Sequence, residues 1–359
     1  NGQIEDFESK MARMAVRPDT KEKNKDAELE EIDVAFLEDW GVSYSNILQF
    51  LYVCYIIAMK QQKSVIEMEE SQLIKAMQEH CTELTEDLAK KCIIRLSLDK
   101  RENYLTPPVG LAGKDIFPWS YNRELSYLRR PVIRYQYDDG TVMCMFGFRS
   151  CIQAGIQLSD LLYSGRLRYV GRKIETLLGK FEAIKGAAFN DEVRSFLAKI
   201  PIMRVWEHDV TIKSGGYFAA DKDYGDIDVM AYDTSRDILY LIECKNTNPA
   251  KNIKEMKTEM DEYLGRGDNP ERDKKRALVL KHLRRHRWVT EHINEVAKHI
   301  GVAVTPRVKS MMLTATVIPT SYLKREKIPM SILNYPELKI KGVNLLDSCK
   351  EPDLSVLDI

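Results

Sequence analysis

The chain has 359 residues, 44% apolar and 30% charged, the make-up of an ordinary globular protein with a sizeable core, and long enough for two or three domains of roughly 150 residues. Its 54 basic and 54 acidic side chains cancel, so net charge names no partner and only local clustering can. Seven cysteines (Cys54, Cys81, Cys92, Cys144, Cys151, Cys244 and Cys349) are odd in number, widely spaced and contain no CxxC, which points away from a zinc framework or disulfide scaffold and fits a reducing cytoplasm.

Residues 1–28 are charge-dense and poor in large apolar groups after Val16, the composition of a linker or solvated helix. No secretory signal is visible, and the chain is allowed to be a piece of a longer protein. From Leu29 apolar residues recur at helical spacing, with Ile47, Phe50, Val53 and Ile57 on one stripe. Asn46–Met59 is the most apolar run, too short for the roughly 20 residues of a membrane span, so it is expected as a buried helix with no membrane partner. Thr85 is placed to cap a helix running TEDLAKKCIIRL, with Asp87 in its first turn. Residues 131–137 and 141–148 read as strands joined through Asp138-Asp139-Gly140, a hairpin. An α-rich N-terminal domain with a β-hairpin is therefore expected over 29–168.

The pattern changes near Tyr169. Residues 171–184 and 189–200 read as two helices interrupted at Gly186, followed by β-rich runs around Ile227–Met230 and Ile238–Lys245 joined by the polar turn Asp233–Asp237. Helices are expected over about 250–264 and 273–300, then a strand over 310–318. Helix, strand, strand, helix, helix, strand makes an α/β domain, a mixed sheet flanked by helices over 169–335, with 336–359 as a C-terminal tail.

Three ionisable groups sit in these strands. Side chains alternate along a strand, so Glu243 and Lys245 project together while Ile242 and Cys244 point the other way. Leu239–Ile242 reads as a strand buried on both faces, and charges that continue it are costly unless paired or bound to an ion. If the two runs pair, Asp228 joins Glu243 and Lys245 at one sheet edge. Two carboxylates beside a lysine suit a hard divalent cation and a water, with the lysine stabilising a phosphorane-like transition state or orienting the water.

The constellation Gly225-Asp-Ile-Asp228 … Ile242-Glu-Cys-Lys245 resembles the PD-(D/E)XK nuclease superfamily, the restriction-endonuclease-like fold, and within it the Mrr and NERD-type branches. The resemblance covers residues 170–320. It implies Asp228 and Glu243 as ligands of Mg²⁺, with Mn²⁺ as a substitute, and Lys245 as the catalytic lysine. It also implies an acid on the preceding helix. Counting from Gly186 puts that slot on Asn190, so Glu192 is taken as the third catalytic and metal-facing residue, with Asn190 as the alternative. Glu259 and Tyr263 have the spacing of a Gln-x-x-x-Tyr motif with Glu in the first place.

Arg272–Arg287 carries eight Lys or Arg against one acid, the footprint expected for phosphate-backbone contact. Lys274, Lys275, Arg276, Lys281, Arg284, Arg285 and Arg287 are its candidate contacts, with Arg166, Arg168, Arg172 and Lys173 a smaller extension. His282 and His286 share zinc-compatible spacing but lack a further ligand motif. No Walker A pattern occurs, so a motor would lie elsewhere. The resulting expectation is a metal-dependent nuclease, with DNA favoured over RNA, in bacterial restriction or anti-phage defence, and with a second copy or partner protein supplying activation. The alternative is a catalytically silent nucleic-acid-binding module on the same fold.

Overall fold

The structure, a computed structural model, describes residues 25–117, 123–168, 171–247, 249–250, 252–323 and 328–358. The chain divides into two compact units, one ending at Glu182 and one starting at Ala183.

In the first unit, helix α1 spans Lys25–Trp40 and α2 spans Tyr44–Gln61. Ser43 caps α2 by accepting from the Asn46 N–H, and Asn46 returns the contact to the Ser43 N–H, so two of the orphan donors at the helix start are satisfied. The apolar stripe expected from the spacing is buried: Ile47, Phe50, Val53 and Ile57 all lie in the core. No single helix among the described residues is long and apolar enough to cross a membrane. Strand β1 (Val65–Glu69), helices α3 (Glu70–His80) and α4 (Glu86–Leu96), and strand β2 (Ser97–Asp99) follow. Thr85 caps α4 by accepting from the Leu88 N–H at 3.3 Å. After the short α5 (Gly113–Ile116), β3 (Val132–Gln136) and β4 (Val142–Gly147) form the expected hairpin. Gly140 takes φ +88° in its turn, a value that only glycine adopts without strain. The sheet order is β1-β4-β3-β2, and α6 (Phe148–Tyr163) completes the unit.

Helix α7, Arg172–Leu197, replaces the two shorter helices expected from Gly186. A glycine inside a helix weakens it by about 1 kcal/mol relative to alanine, too little to break a helix that buries Phe181, Phe189, Val193 and Leu197, each worth about 2 kcal/mol.

The second unit is built on a five-stranded mixed sheet. Its strands are β5 (Met203–Val205), β8 (Val229–Asp233), β9 (Ile238–Lys245), β10 (Arg307–Thr314) and β11 (Ser331–Asn334), in the order β11-β10-β9-β8-β5. The pairs β5·β8 and β8·β9 are antiparallel, and β9·β10 and β10·β11 are parallel. A separate ribbon pairs β6 (Val210–Ile212) with β7 (Gly225–Ile227). Both faces of β9 are covered, as its unbroken apolar run requires. Ile238, Tyr240, Ile242 and Cys244 pack with Phe189 and Val193 of α7. Leu239 and Leu241 pack on the other side with Trp288 and Val289.

The helix expected over 273–300 is three pieces, α9 (Pro270–Arg276), α10 (Leu278–Glu291) and α11 (Ile293–Ile300), preceded by α8 (Ile253–Leu264). The segment expected as a tail is structured. After α12 (Thr320–Leu323) and β11, α13 (Tyr335–Lys341) and α14 (Val343–Asp347) bring Leu338, Leu345, Leu346 and Cys349 into the core beneath β9.

Candidate functional site

The register of β8 and β9 builds the site. Val229 faces Ile242 at the end of the paired register, and Asp228, just before β8, reaches the β9 backbone next to Glu243. Like charges facing each other across antiparallel strands are destabilising, and Glu243 is only 5% exposed. The surroundings compensate. Asp228 Oδ2 accepts from the Cys244 N–H at 2.8 Å. Glu243 Oε1 lies 2.8 Å from Lys245 Nζ, and its Oε2 is paired with Arg285 Nη1.

Arg285 is the residue that the local pattern does not announce. It comes from α10, is 8% exposed, and also donates through Nε to the Tyr224 carbonyl at 3.1 Å. A Cβ on the next residue, Gly225, would lie 3.2 Å from the guanidinium, and Gly225 has φ +87°, so glycine there lets the backbone approach the cation. One turn back on α10, His282 is fully buried and its Nε2–H donates to the Leu241 carbonyl at 3.2 Å. Its Nδ1 stands 3.6 Å from Glu243 Oε2, too far for a hydrogen bond, and acts on the carboxylate through space.

The electrostatics divide the two acids. Burial, and then the facing Glu243 charge, push the Asp228 carboxyl up to about 7. Burial alone would raise Glu243 as well, but His282, Arg285 and Lys245 outweigh it and hold that carboxyl well below the usual range. Burial works against the charge on Lys245, yet Glu243 and Asp228 together raise its affinity for its proton. At neutral pH the site therefore keeps a locked carboxylate, an ammonium and a carboxyl able to change state.

The structure brings Asp228, Glu243 and Lys245 together and leaves Glu192 apart. Helix α7 packs through Phe189 and Val193 on the face carrying Ile242 and Cys244, opposite to the face of Glu243. The Glu192 side chain is 56% exposed and lies 3.8 Å from Lys339. Asn190 is buried and falls one turn before Arg194, on the same helix face. Arg194 donates to the Asp228 carbonyl and pairs with Asp191 at 2.7 Å and with Asp209. The helix thus meets the site through an arginine rather than an acid. Among the described residues no group of three His, Cys, Asp or Glu side chains is arranged to hold a metal ion. Glu259 and Tyr263 are both buried on α8; Glu259 accepts from the Thr320 N–H at 3.0 Å and from its hydroxyl at 2.6 Å, which fixes the start of α12.

The basic segment divides by burial. Lys275 and Arg276 are exposed, and Lys281 and Arg284 are half-buried. Arg285 is used by Glu243. Arg287 is tied to Asp358 at 2.9 Å and to the Leu354 carbonyl at 2.8 Å. The side chain of Lys274 lies outside the described ones. His286 is buried against the Ser310 hydroxyl at 2.8 Å, so the two histidines of α10 hold the sheet rather than a shared ion. In the smaller patch, Lys173 lies 3.1 Å from Glu38 and Arg166 3.7 Å from Asp160.

Comparison with known proteins adds a family to this geometry. Neither the curated proteins nor the solved structures contain a match to the chain. A family model described as anti-phage protein Upx-like matches residues 4–331, nearly the whole length. The chain belongs to the Upx-like family of anti-phage proteins.

Proposed function

We propose that this anti-phage protein acts as a metal-dependent nuclease that hydrolyses phosphodiester bonds, DNA foremost, at Asp228, Glu243 and Lys245. One observation carries the reading: Asp228 Oδ2 accepts from the Cys244 N–H at 2.8 Å, next to Glu243, whose Oε1 lies 2.8 Å from Lys245 Nζ. The order of elements supports it: a helix, the antiparallel β5-β8-β9, helices, and then β10 parallel to β9.

The donor set fits Mg²⁺, which takes one or two carboxylates and fills its remaining positions with water and phosphate oxygens. Asp228 bears the strain of a half-buried acid beside another acid, which a divalent cation on these two carboxylates would relieve. When bound, the ion would supply charge neutralisation at a phosphate oxygen. Lys245, held charged by both acids, acts as an electrostatic group on the developing negative charge rather than as a base. Arg285 holds Glu243 in place, and His282 acts on its charge through space. Arg194 fixes the Asp228 backbone, which sets the acid's position relative to β9. Among the described side chains of the segment, Lys275, Arg276, Lys281 and Arg284 are left to follow a phosphate backbone. Cutting both strands of a duplex would need two such sites, hence a second copy or a partner.

A second reading, a silent nucleic-acid-binding module, draws on the occupancy of Glu243: both of its oxygens already carry a cation, Lys245 or Arg285. Incubation with supercoiled plasmid in Mg²⁺, Mn²⁺ or EDTA separates the two. Nicking or linearisation that EDTA and Lys245→Ala both abolish is the expected result. Cleavage that survives Asp228→Ala, Glu243→Ala and Lys245→Ala would overturn the assignment, and a salt-sensitive gel shift without cleavage in any metal would favour the silent module.

A further inference from the structure

The sheet of the first unit has an edge that the nuclease reading does not use. Strand β1 ends the order β1-β4-β3-β2, so among the described residues its far side pairs with no strand. Proteins shield such edges with short strands, prolines or covering segments, because a row of unpaired backbone groups invites another chain. The other edge strands follow that rule. β2 and β5 have three residues each. At β11 the Lys350 N–H reaches the Ser331 hydroxyl at 3.1 Å, and the Asp353 N–H reaches the Pro329 carbonyl at 2.7 Å. β1 has five residues and no proline.

The hydrogen-bond pattern fixes which residues of β1 face outward. Val65 stands opposite Gly147, and the Phe148 N–H donates to the Ser64 carbonyl at 3.4 Å. In an antiparallel ladder, residues that bond the neighbouring strand alternate with residues that do not. Ser64, Ile66 and Met68 therefore bond toward β4, whereas Val65 and Glu67 turn their N–H and C=O groups to the open side. Among the described residues no backbone group outside the sheet bonds them. The side chains agree. Ile66 is buried, while Val65 is 53% exposed. Lys63 and Glu67 are exposed too, and the Tyr137 hydroxyl donates to the Glu67 carboxylate at 3.2 Å, holding it over the sheet.

We infer that the β1 edge pairs with the β1 edge of a second copy of this chain, antiparallel, about a two-fold axis at Val65. In that register each Val65 donates its N–H to the other's carbonyl, and the two exposed valine side chains meet. Lys63 of one copy faces Glu67 of the other, and the symmetry repeats the pair, so the edge matches itself in charge. The neighbouring registers do not. An axis at Glu67 opposes two carboxylates, and an axis at Ile66 sets the Val65 side chain against a carboxylate. The two four-stranded sheets then run on as one. The pairing supplies the second copy that cleavage of both strands calls for. It stands on the first unit alone, so dimerisation and plasmid cleavage hold or fail separately.

Edge pairing is a small interface of the weak class, so the test traps it covalently as well as weighing it. Directly bonded antiparallel residues have Cα atoms about 5.5 Å apart, inside the range that a disulfide spans. In the full chain, Val65→Cys is expected to form a disulfide-linked dimer with oxidised glutathione. Glu67→Cys, exposed on the same edge but distant from its own copy in this register, stays unlinked. So does the parent, whose cysteines are buried except the half-buried Cys81. Sedimentation velocity over a concentration series is expected to show a monomer–dimer equilibrium. Lys63→Glu or Glu67→Lys alone weakens it about tenfold by facing like charges, and the two together restore it. Val65→Pro removes an N–H that β4 does not use and abolishes the dimer. A monomer at every concentration, Glu67→Cys linking as readily as Val65→Cys, or a double charge variant as weak as the single ones would overturn the inference.

Discussion

Asp228→Asn keeps an oxygen able to accept the Cys244 N–H and removes the charge that burial and Glu243 oppose. In the unfolded chain this carboxyl ionises near the ordinary value, whereas in the folded protein it is raised from 3.8 to about 7. Between those values the folded state holds a proton that the unfolded chain has released, so stability falls as pH rises. Below about pH 4 both states are protonated and the penalty is absent; above about pH 7 both are ionised and it is complete. The span from 3.8 to about 7, at 1.36 kcal/mol per pH unit, sets a ceiling of about 4 kcal/mol. Asparagine does not titrate, so the variant is expected to be more stable than the parent by about 2–4 kcal/mol at pH 8, and by only about 1 kcal/mol at pH 5. Urea unfolding at the two pH values measures both differences, and millimolar Mg²⁺ should narrow the gap at pH 8 by stabilising only the parent. Equal stability at pH 8, or a gain of the same size at both pH values, would refute the reasoning.

Glu243→Gln leaves Arg285 buried without its carboxylate and should destabilise the protein by about 3 kcal/mol; a loss under about 0.5 kcal/mol in urea would mean that the guanidinium finds another acceptor. Gly186→Ala lies inside α7 with nothing within 4 Å of the added Cβ, so a gain of about 1 kcal/mol is expected, and a loss on thermal unfolding would contradict one continuous helix. Reversing three charges, the exposed Lys275→Glu and Arg276→Glu with the half-buried Lys281→Glu, should weaken DNA binding and flatten its salt dependence by about three counterions. Arg287→Ala should do the opposite, lowering stability by about 1 kcal/mol through loss of its ties to Asp358 and Leu354 and leaving the salt slope alone; a flattened slope for Arg287→Ala would place that arginine on the nucleic acid instead.

The amino-acid sequence by itself determined what is local. Period-2 alternation put Glu243 and Lys245 on one face of β9, the turn at Asp233–Asp237 joined β8 to it, and the hairpin around Gly140 and the cap at Thr85 follow from residues a few positions apart. The meeting of Asp228 with Glu243 was legible for the same reason, because a hairpin fixes its own register. Contacts made across long separations were decided only by the tertiary structure. Arg285, 42 residues from Glu243, reads in sequence as one more cation in a basic run; the packing of α10 against β9 is what turns it inward while Lys275 stays in water. Glu192 and Asn190 lie two residues apart, and which of them turns toward the sheet depends on the face that α7 buries through Phe189 and Val193. The same holds for residues 336–359, whose leucines make a core only once β9 and β10 stand above them. Charge type and spacing are written in the chain, but whether a charged group meets solvent or another charge depends on which elements pack together, and that is set by burial of apolar surface summed over the whole unit.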